Sequence, residues 1–320
     1  MRIAVTGGAG FIGSHLINDL LNDGLDVIGL DNFNDYYPPA IKYDRVEHFQ
    51  SMVETVDMKD FDALDKFFGE YRPEIVIHLG ARAGVRDSFG KEVAYHKDNI
   101  DATQNLIECC KMYHVGKVIY ASTSSVYGGT PIGPNGWTED TLSGHQRNAY
   151  AYTKYVNEIQ WGISGINNIG LRFFTVYGPW GRPDMALFNF TRDIIEGNEI
   201  HAFNYGNMKR DFTYIADIIQ GIKIAMLADI ESGEIFNIGR GKQVDLMKFI
   251  EIIGKECGRE PIVKLAPRHP ADTLETWSNT DKLQALGYSP TTDIEVGVQA
   301  LSLIHISEPT RPERISYGGV

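Results

Sequence analysis

The chain has 320 residues, 43% of them hydrophobic, which is enough to bury one large core or two interlocked ones. Its 42 acidic and 30 basic side chains leave a formal net charge of −12; that charge repels a phosphate backbone, no local Lys/Arg cluster offsets it, and a nucleic-acid partner is not expected. Cys109, Cys110 and Cys257 show no disulfide framework, the nine histidines show no metal-ligand spacing, and no apolar run is long enough to span a bilayer, so a cytoplasmic protein with no metal and no membrane partner is expected.

The opening stretch "MRIAVTGGAGFIGSHLINDLLNDGLDVIGLDN" predicts a short buried strand from Ile3 to Thr6, a glycine turn, a helix with apolar positions 12, 16, 17, 20 and 21, and a second strand ending at Asp31. Gly7, Gly10 and Gly13 let the backbone turn tightly, approach a pyrophosphate and pack the helix on the strand, with the helix N-terminus aimed at the negative charge. Asp31 would accept hydrogen bonds from the adenosine ribose and repel a 2′-phosphate, and no arginine stands at 32 or 33, so NAD is favoured over NADP.

Apolar strands recur at Val53 to Val56, Ile75 to Leu79 and Lys117 to Ala121, separated by helical patterns at 60 to 69 and 98 to 113. This is the rhythm of an α/β fold, a Rossmann-type doubly wound parallel sheet. Ligands in such sheets lie beyond the carboxyl ends of the strands, where "DMKD", "GARAGVRDS" and "STSSVYGG" follow the third, fourth and fifth strands. An NAD-binding domain is expected over 1–178, with segments near 211–240 returning to it. A smaller substrate-binding region is expected over 179–300, with a helix near 185–197 and short strands near 200–204 and 262–266.

In "NAYAYTK", a helix puts Tyr150 and Lys154 on one face and points Tyr152 away. Bringing a phenol with a pKa of ~10 to usefulness as a base near neutrality takes ~4 kcal/mol, which a nearby ammonium and a cationic nicotinamide together could supply. Thr123, Ser124 and Ser125 follow the fifth strand, where hydroxyls can hold a substrate oxygen.

Taken together, "TGGAGFIGSH", "STSSVYG", "YAYTK", "LRFFTVYGPWGRPDMA" and "RDFTYIADI" resemble the extended short-chain dehydrogenase/reductases, the nucleotide-sugar epimerases and dehydratases, from residue 1 to about 300. "DNFNDYY" and "VYGPWGRPDMA" are similar to signatures of the UDP-glucuronate 4-epimerase group. The resemblance implies that Tyr150 takes the proton of the sugar 4-hydroxyl, that Lys154 binds the nicotinamide ribose and lowers the Tyr150 pKa, and that Thr123 bonds the same oxygen. It implies a tightly held NAD that accepts a hydride from carbon 4 and returns it to the other face of a 4-keto sugar.

The same resemblance places Phe11, Ile12, Asn32, Asp57, Met58, Leu79, Asn99 and Phe173 with the glycines, Asp31, Tyr150 and Lys154 around NAD. A glucuronate oxidised at carbon 4 is a β-keto acid prone to lose carbon dioxide, so its carboxylate must be gripped; Ser124, Ser125, Thr175 and Arg182 are the candidates, with Arg86 beside them. Arg210 and Asp272 match positions that hold the diphosphate and the uridine ribose. UDP-glucose 4-epimerase, UDP-glucuronate decarboxylase and a catalytically silent NAD-binding regulator are the alternatives. A 4,6-dehydratase is disfavoured because Ser124 and Ser125 stand where dehydratases carry an Asp-Glu pair.

Two departures stand out. The segment "QWGISGINNIG" is about one helical turn shorter than in relatives, which leaves the expected homodimer open, and His269 and Ala271 differ from the residues expected in the uridine loop. From about residue 301, "LSLIHISEPTR" equals an in-frame reading of a transposase-type sequencing adapter, so 301–320 is expected to carry no function and to pack poorly.

Overall fold

The computed structural model describes residues 1–141, 143, 145–268 and 272–307, the last seven as helical backbone only. Seven parallel strands form the main sheet: β1 (Arg2–Thr6), β2 (Asp26–Asp31), β3 (Val53–Thr55), β4 (Ile75–His78), β5 (Lys117–Thr123), β6 (Asn168–Phe173) and, joining later in the chain, the strand Glu234–Ile238. They lie in the order β3-β2-β1-β4-β5-β6 followed by Glu234–Ile238, a doubly wound sheet that reverses direction between β1 and β4. Ile3 pairs with both Val27 and Ile75 in this register, and the flanking strands run as continuous apolar residues because helices cover both faces.

Those helices include α1 (Phe11–Asn22), α2 (Pro39–Val46), α3 (Phe61–Tyr71), α4 (Glu92–Tyr95), α5 (Ala102–Met112) and α6 (Ala149–Gly162). The helix expected over 98–113 starts at Ala102, because His96–Asp101 forms a π-helical turn. Leu16, Ile17 and Leu20 of α1 pack in one core layer with Ile3, Val5, Ile218 and Ile222, while Leu64, Phe68, Leu106 and Trp161 fill the layer on the other face.

A smaller region carries its own core around Tyr177, Leu187, Phe212 and Phe249. Strand β7 (Thr175–Tyr177) pairs with β9 (Lys209–Tyr214), which pairs in turn with Gln243–Asp245, and β8 (Glu199–Ala202) pairs with Ile262–Leu265. The helix α7 (Ala186–Glu196) packs here, whereas α8 (Ile215–Leu227) returns to pack on α1. A final helix runs Ile294–Ser307 and so continues past residue 301; the remainder of the tail, like His269 and Ala271, lies outside the described residues.

Candidate active site

Beyond the carboxyl ends of β1, β4 and β5 opens a cavity of about 370 Å³ whose floor is the glycine turn. A Cβ on Gly13 would sit 2.2 Å from the Gly7 carbonyl oxygen, and one on Gly7 would meet the Gly80 backbone at 2.8 Å, so only glycine lets β1, α1 and the loop after β4 close this tightly. Gly10 starts α1 with no side-chain cap. The first turn therefore keeps its amides for a ligand at the helix N-terminus. Gly7, Gly10, Phe11, Ile12 and Gly13 line the cavity with Asp31, Asn32, Asp57, Met58, Leu79 and Phe173. A dinucleotide fits this cradle.

Asp31 is buried, and its carboxylate accepts from the Ala9 amide at 3.2 Å, the Phe33 amide at 2.8 Å and the Lys42 ammonium at 3.0 Å. Lys42 was not anticipated: it comes from α2, eleven residues on, and gives the acid a cationic neighbour that no motif spacing reveals. Asn99 does not line the cavity. Its amide instead receives the Arg82 amide at 2.7 Å and donates to the Arg82 carbonyl at 3.0 Å and the Thr153 hydroxyl at 2.9 Å, which fixes the loop after β4 against α6.

Asn148 caps α6 by accepting from the Ala151 amide at 2.8 Å, which sets the helix register. Tyr150 and Lys154 both face the cavity, whereas Tyr152 is 50% exposed on the far side. The Thr123 hydroxyl accepts from the Ser125 amide at 3.2 Å and lines the same cavity as the Tyr150 phenol. Burial is the largest influence on that phenol and pushes its pKa up, with the Arg182 charge and the Thr123 hydroxyl pulling the other way. Burial acts on Lys154 too, bringing its ammonium down to about 8, opposed by Glu158.

Glu158, one turn beyond Lys154, was also not anticipated, although its four-residue spacing could have been read. It accepts from Ser122 at 2.5 Å and from two nitrogens of Arg172, each at 2.9 Å, tying α6 to β5 and β6. Ser124, Ser125, Thr175 and Arg182 line the same cavity. The loop before Arg182 is held by Arg45 of α2, which donates to the Trp180 carbonyl at 3.0 and 2.8 Å and to the Gly181 carbonyl at 3.2 Å.

Three expected substrate residues gather elsewhere. Arg86 does not reach the hydroxyl cluster; its guanidinium bonds Asp272 at 3.1 and 2.8 Å and lies 4.3 Å over the Phe203 ring. Arg210 donates to the Leu274 and Lys209 carbonyls at 2.9 Å each and to the Thr273 carbonyl, so it braces the loop that carries Asp272. Among the described residues no cluster of three or more metal-ligating side chains occurs, and no helix is long and apolar enough to cross a membrane.

Residues 3–239 match the model of the NAD dependent epimerase/dehydratase family. An uncharacterized protein of Methanocaldococcus jannaschii is 43% identical over 309 residues, covering 93% of this chain and 94% of that one. A UDP-glucuronate 4-epimerase of Arabidopsis thaliana is 38% identical, covering 93% of this chain and 74% of the relative. The crystal structure of a UDP-glucuronic acid 4-epimerase from Bacillus cereus, in complex with UDP-glucuronic acid and NAD, superposes with a TM-score of 0.89 at 34% identity, over 97% of this chain and all (100%) of the other.

Proposed function

This chain belongs to the NAD dependent epimerase/dehydratase family, and on that basis we propose that it interconverts UDP-glucuronate and UDP-galacturonate by oxidation and re-reduction at carbon 4. The observation that carries this reading is one cavity holding both a Thr123–Tyr150–Lys154 set and a carboxylate-binding set of Ser124, Ser125, Thr175 and Arg182. NAD, when bound on the glycine cradle with Asp31, supplies the hydride acceptor and donor.

The chain's own residues do the rest. Tyr150 takes the proton of the 4-hydroxyl; Thr123, which lines the same cavity, holds that oxygen with its hydroxyl; and Lys154 places a positive charge near the developing phenolate. Arg182, which shares the cavity with Tyr150, grips the sugar carboxylate with the neighbouring hydroxyls and holds it out of the alignment that would expel carbon dioxide. Arg86, Arg210 and Asp272 take the UDP end.

Exposed apolar residues, Tyr152 and Ile159 of α6, Ile163 just past its end and Val93 of α4, support a homodimer. A cytoplasmic location accords with the three cysteines, none of them in a disulfide. The test is incubation of purified protein with UDP-glucuronate and no added NAD: UDP-galacturonate is expected, and a UDP-pentose with release of carbon dioxide, or turnover of neutral sugars alone, overturns the reading.

A further inference from the structure

Arg182 faces the cavity with one edge of its guanidinium already taken. Asp184, two residues on, accepts from Nε at 3.0 Å and from Nη2 at 2.5 Å, the two-pronged pairing that a free carboxylate makes with arginine. The Tyr36 phenol, which also lines the cavity, donates to the same carboxylate at 3.5 Å, and the Arg182 guanidinium lies 5.7 Å from the Tyr36 ring centroid. Arg182 is less exposed than its partner, 19% against 36% for the side chains, and it lines the cavity.

One edge of a guanidinium holds one carboxylate. We infer that Asp184 is an internal stand-in for the carboxylate of the sugar: it neutralises Arg182 and holds its fork in shape, and a uronate binds by taking its place. The inference rests on the reading of Arg182 given above. The exchange replaces one carboxylate by another, so the arginine never loses its countercharge. The hydroxymethyl group of a neutral hexose cannot make that exchange, since a hydroxyl offers neither the charge nor the paired oxygens. Asp184 is therefore a specificity-determining residue that competes with uronates and leaves neutral sugars unaffected. Arg45, by fixing the Trp180 and Gly181 carbonyls, keeps the loop in place while the carboxylates exchange.

The test is calorimetric titration of the NAD-loaded Asp184→Asn protein with UDP-glucuronate and, separately, with UDP-glucose. Loss of a partly exposed competing ion pair should tighten UDP-glucuronate roughly three- to tenfold and change UDP-glucose less than about twofold. Asp184→Ser should move both in the same directions, and the gain should vanish in an Arg182→Gln background. Unchanged or weaker UDP-glucuronate binding overturns the inference, because Asp184 then only orients Arg182. An equal gain for both sugars overturns it as well, because the effect is then one of overall charge. If the wild-type protein makes no UDP-galacturonate, the functional reading falls, while the ratio of the two affinities still decides the role of Asp184.

Discussion

Removing the Glu158 carboxylate should destabilise the whole sheet, not only the site. Glu158 and Arg172 have side chains only 5% exposed each, and the carboxylate takes two N–H donors at 2.9 Å and the Ser122 hydroxyl at 2.5 Å. Glu158→Ala leaves a buried guanidinium without its countercharge, a change that costs about 3–5 kcal/mol. Arg172 keeps the Tyr127 hydroxyl at 3.1 Å and the Glu139 carbonyl at 3.2 Å, which places the loss near the lower end, about 3 kcal/mol. With a urea slope of ~3 kcal/mol per molar, the midpoint followed by far-ultraviolet circular dichroism should fall by about 1 M. The paired change Glu158→Met with Arg172→Met should recover most of that loss, since neither charge is then buried alone. A loss under about 1 kcal/mol in the single variant, or no recovery in the double, would refute the reasoning.

The remaining predictions concern the site. Tyr150→Phe should lower turnover by roughly 10²–10⁴-fold with NAD still bound, while Tyr152→Phe, on an exposed position, should change kcat little; steady-state kinetics on both decides it. Lys154, brought by burial to about 8 from an ordinary 10.5, loses its charge as pH rises through about 8, so kcat should fall on that alkaline limb in a pH-rate profile. The sign for stability is opposite: between about 8 and 10.5 the unfolded chain binds more protons at this lysine than the folded one, so the contribution of Lys154 to stability rises with pH across that window. Gly13→Ala places a Cβ 2.2 Å from the Gly7 oxygen, and should cost about 1–3 kcal/mol in thermal unfolding and abolish copurification of NAD.

What was legible in the sequence follows how local the causes are. The glycine turn, the strands and the α6 face carrying Tyr150 and Lys154 depend on spacings of three, four or two residues, which the chain displays directly. The π-helical turn at His96–Asp101 left no such trace, because the chain runs on into α5 without a glycine or proline and only the hydrogen bonding differs. The Lys42–Asp31 and Arg86–Asp272 pairs join residues eleven and 186 apart, and depend on where α2 and the segment after the strand Ile262–Leu265 are carried by the fold. Isolated charges in a sequence say nothing about which opposite charge they will meet.

The pKa of Tyr150 shows the same limit from the energetic side. Sequence spacing put Tyr150 and Lys154 on one face of α6, and both line the cavity, yet it could not weigh the desolvation that acts on both groups once α6 packs on β5 and β6. A buried lysine is charged over a narrower pH range than an exposed one of the same geometry, because burial favours its neutral form. The site answers this with Glu158, which opposes the loss of the Lys154 proton from one turn away on α6, and with Arg182, whose charge acts on the phenol. The activation of Tyr150 is thus distributed over three elements, and a variant at Glu158 should be felt at the phenol as well as in the fold.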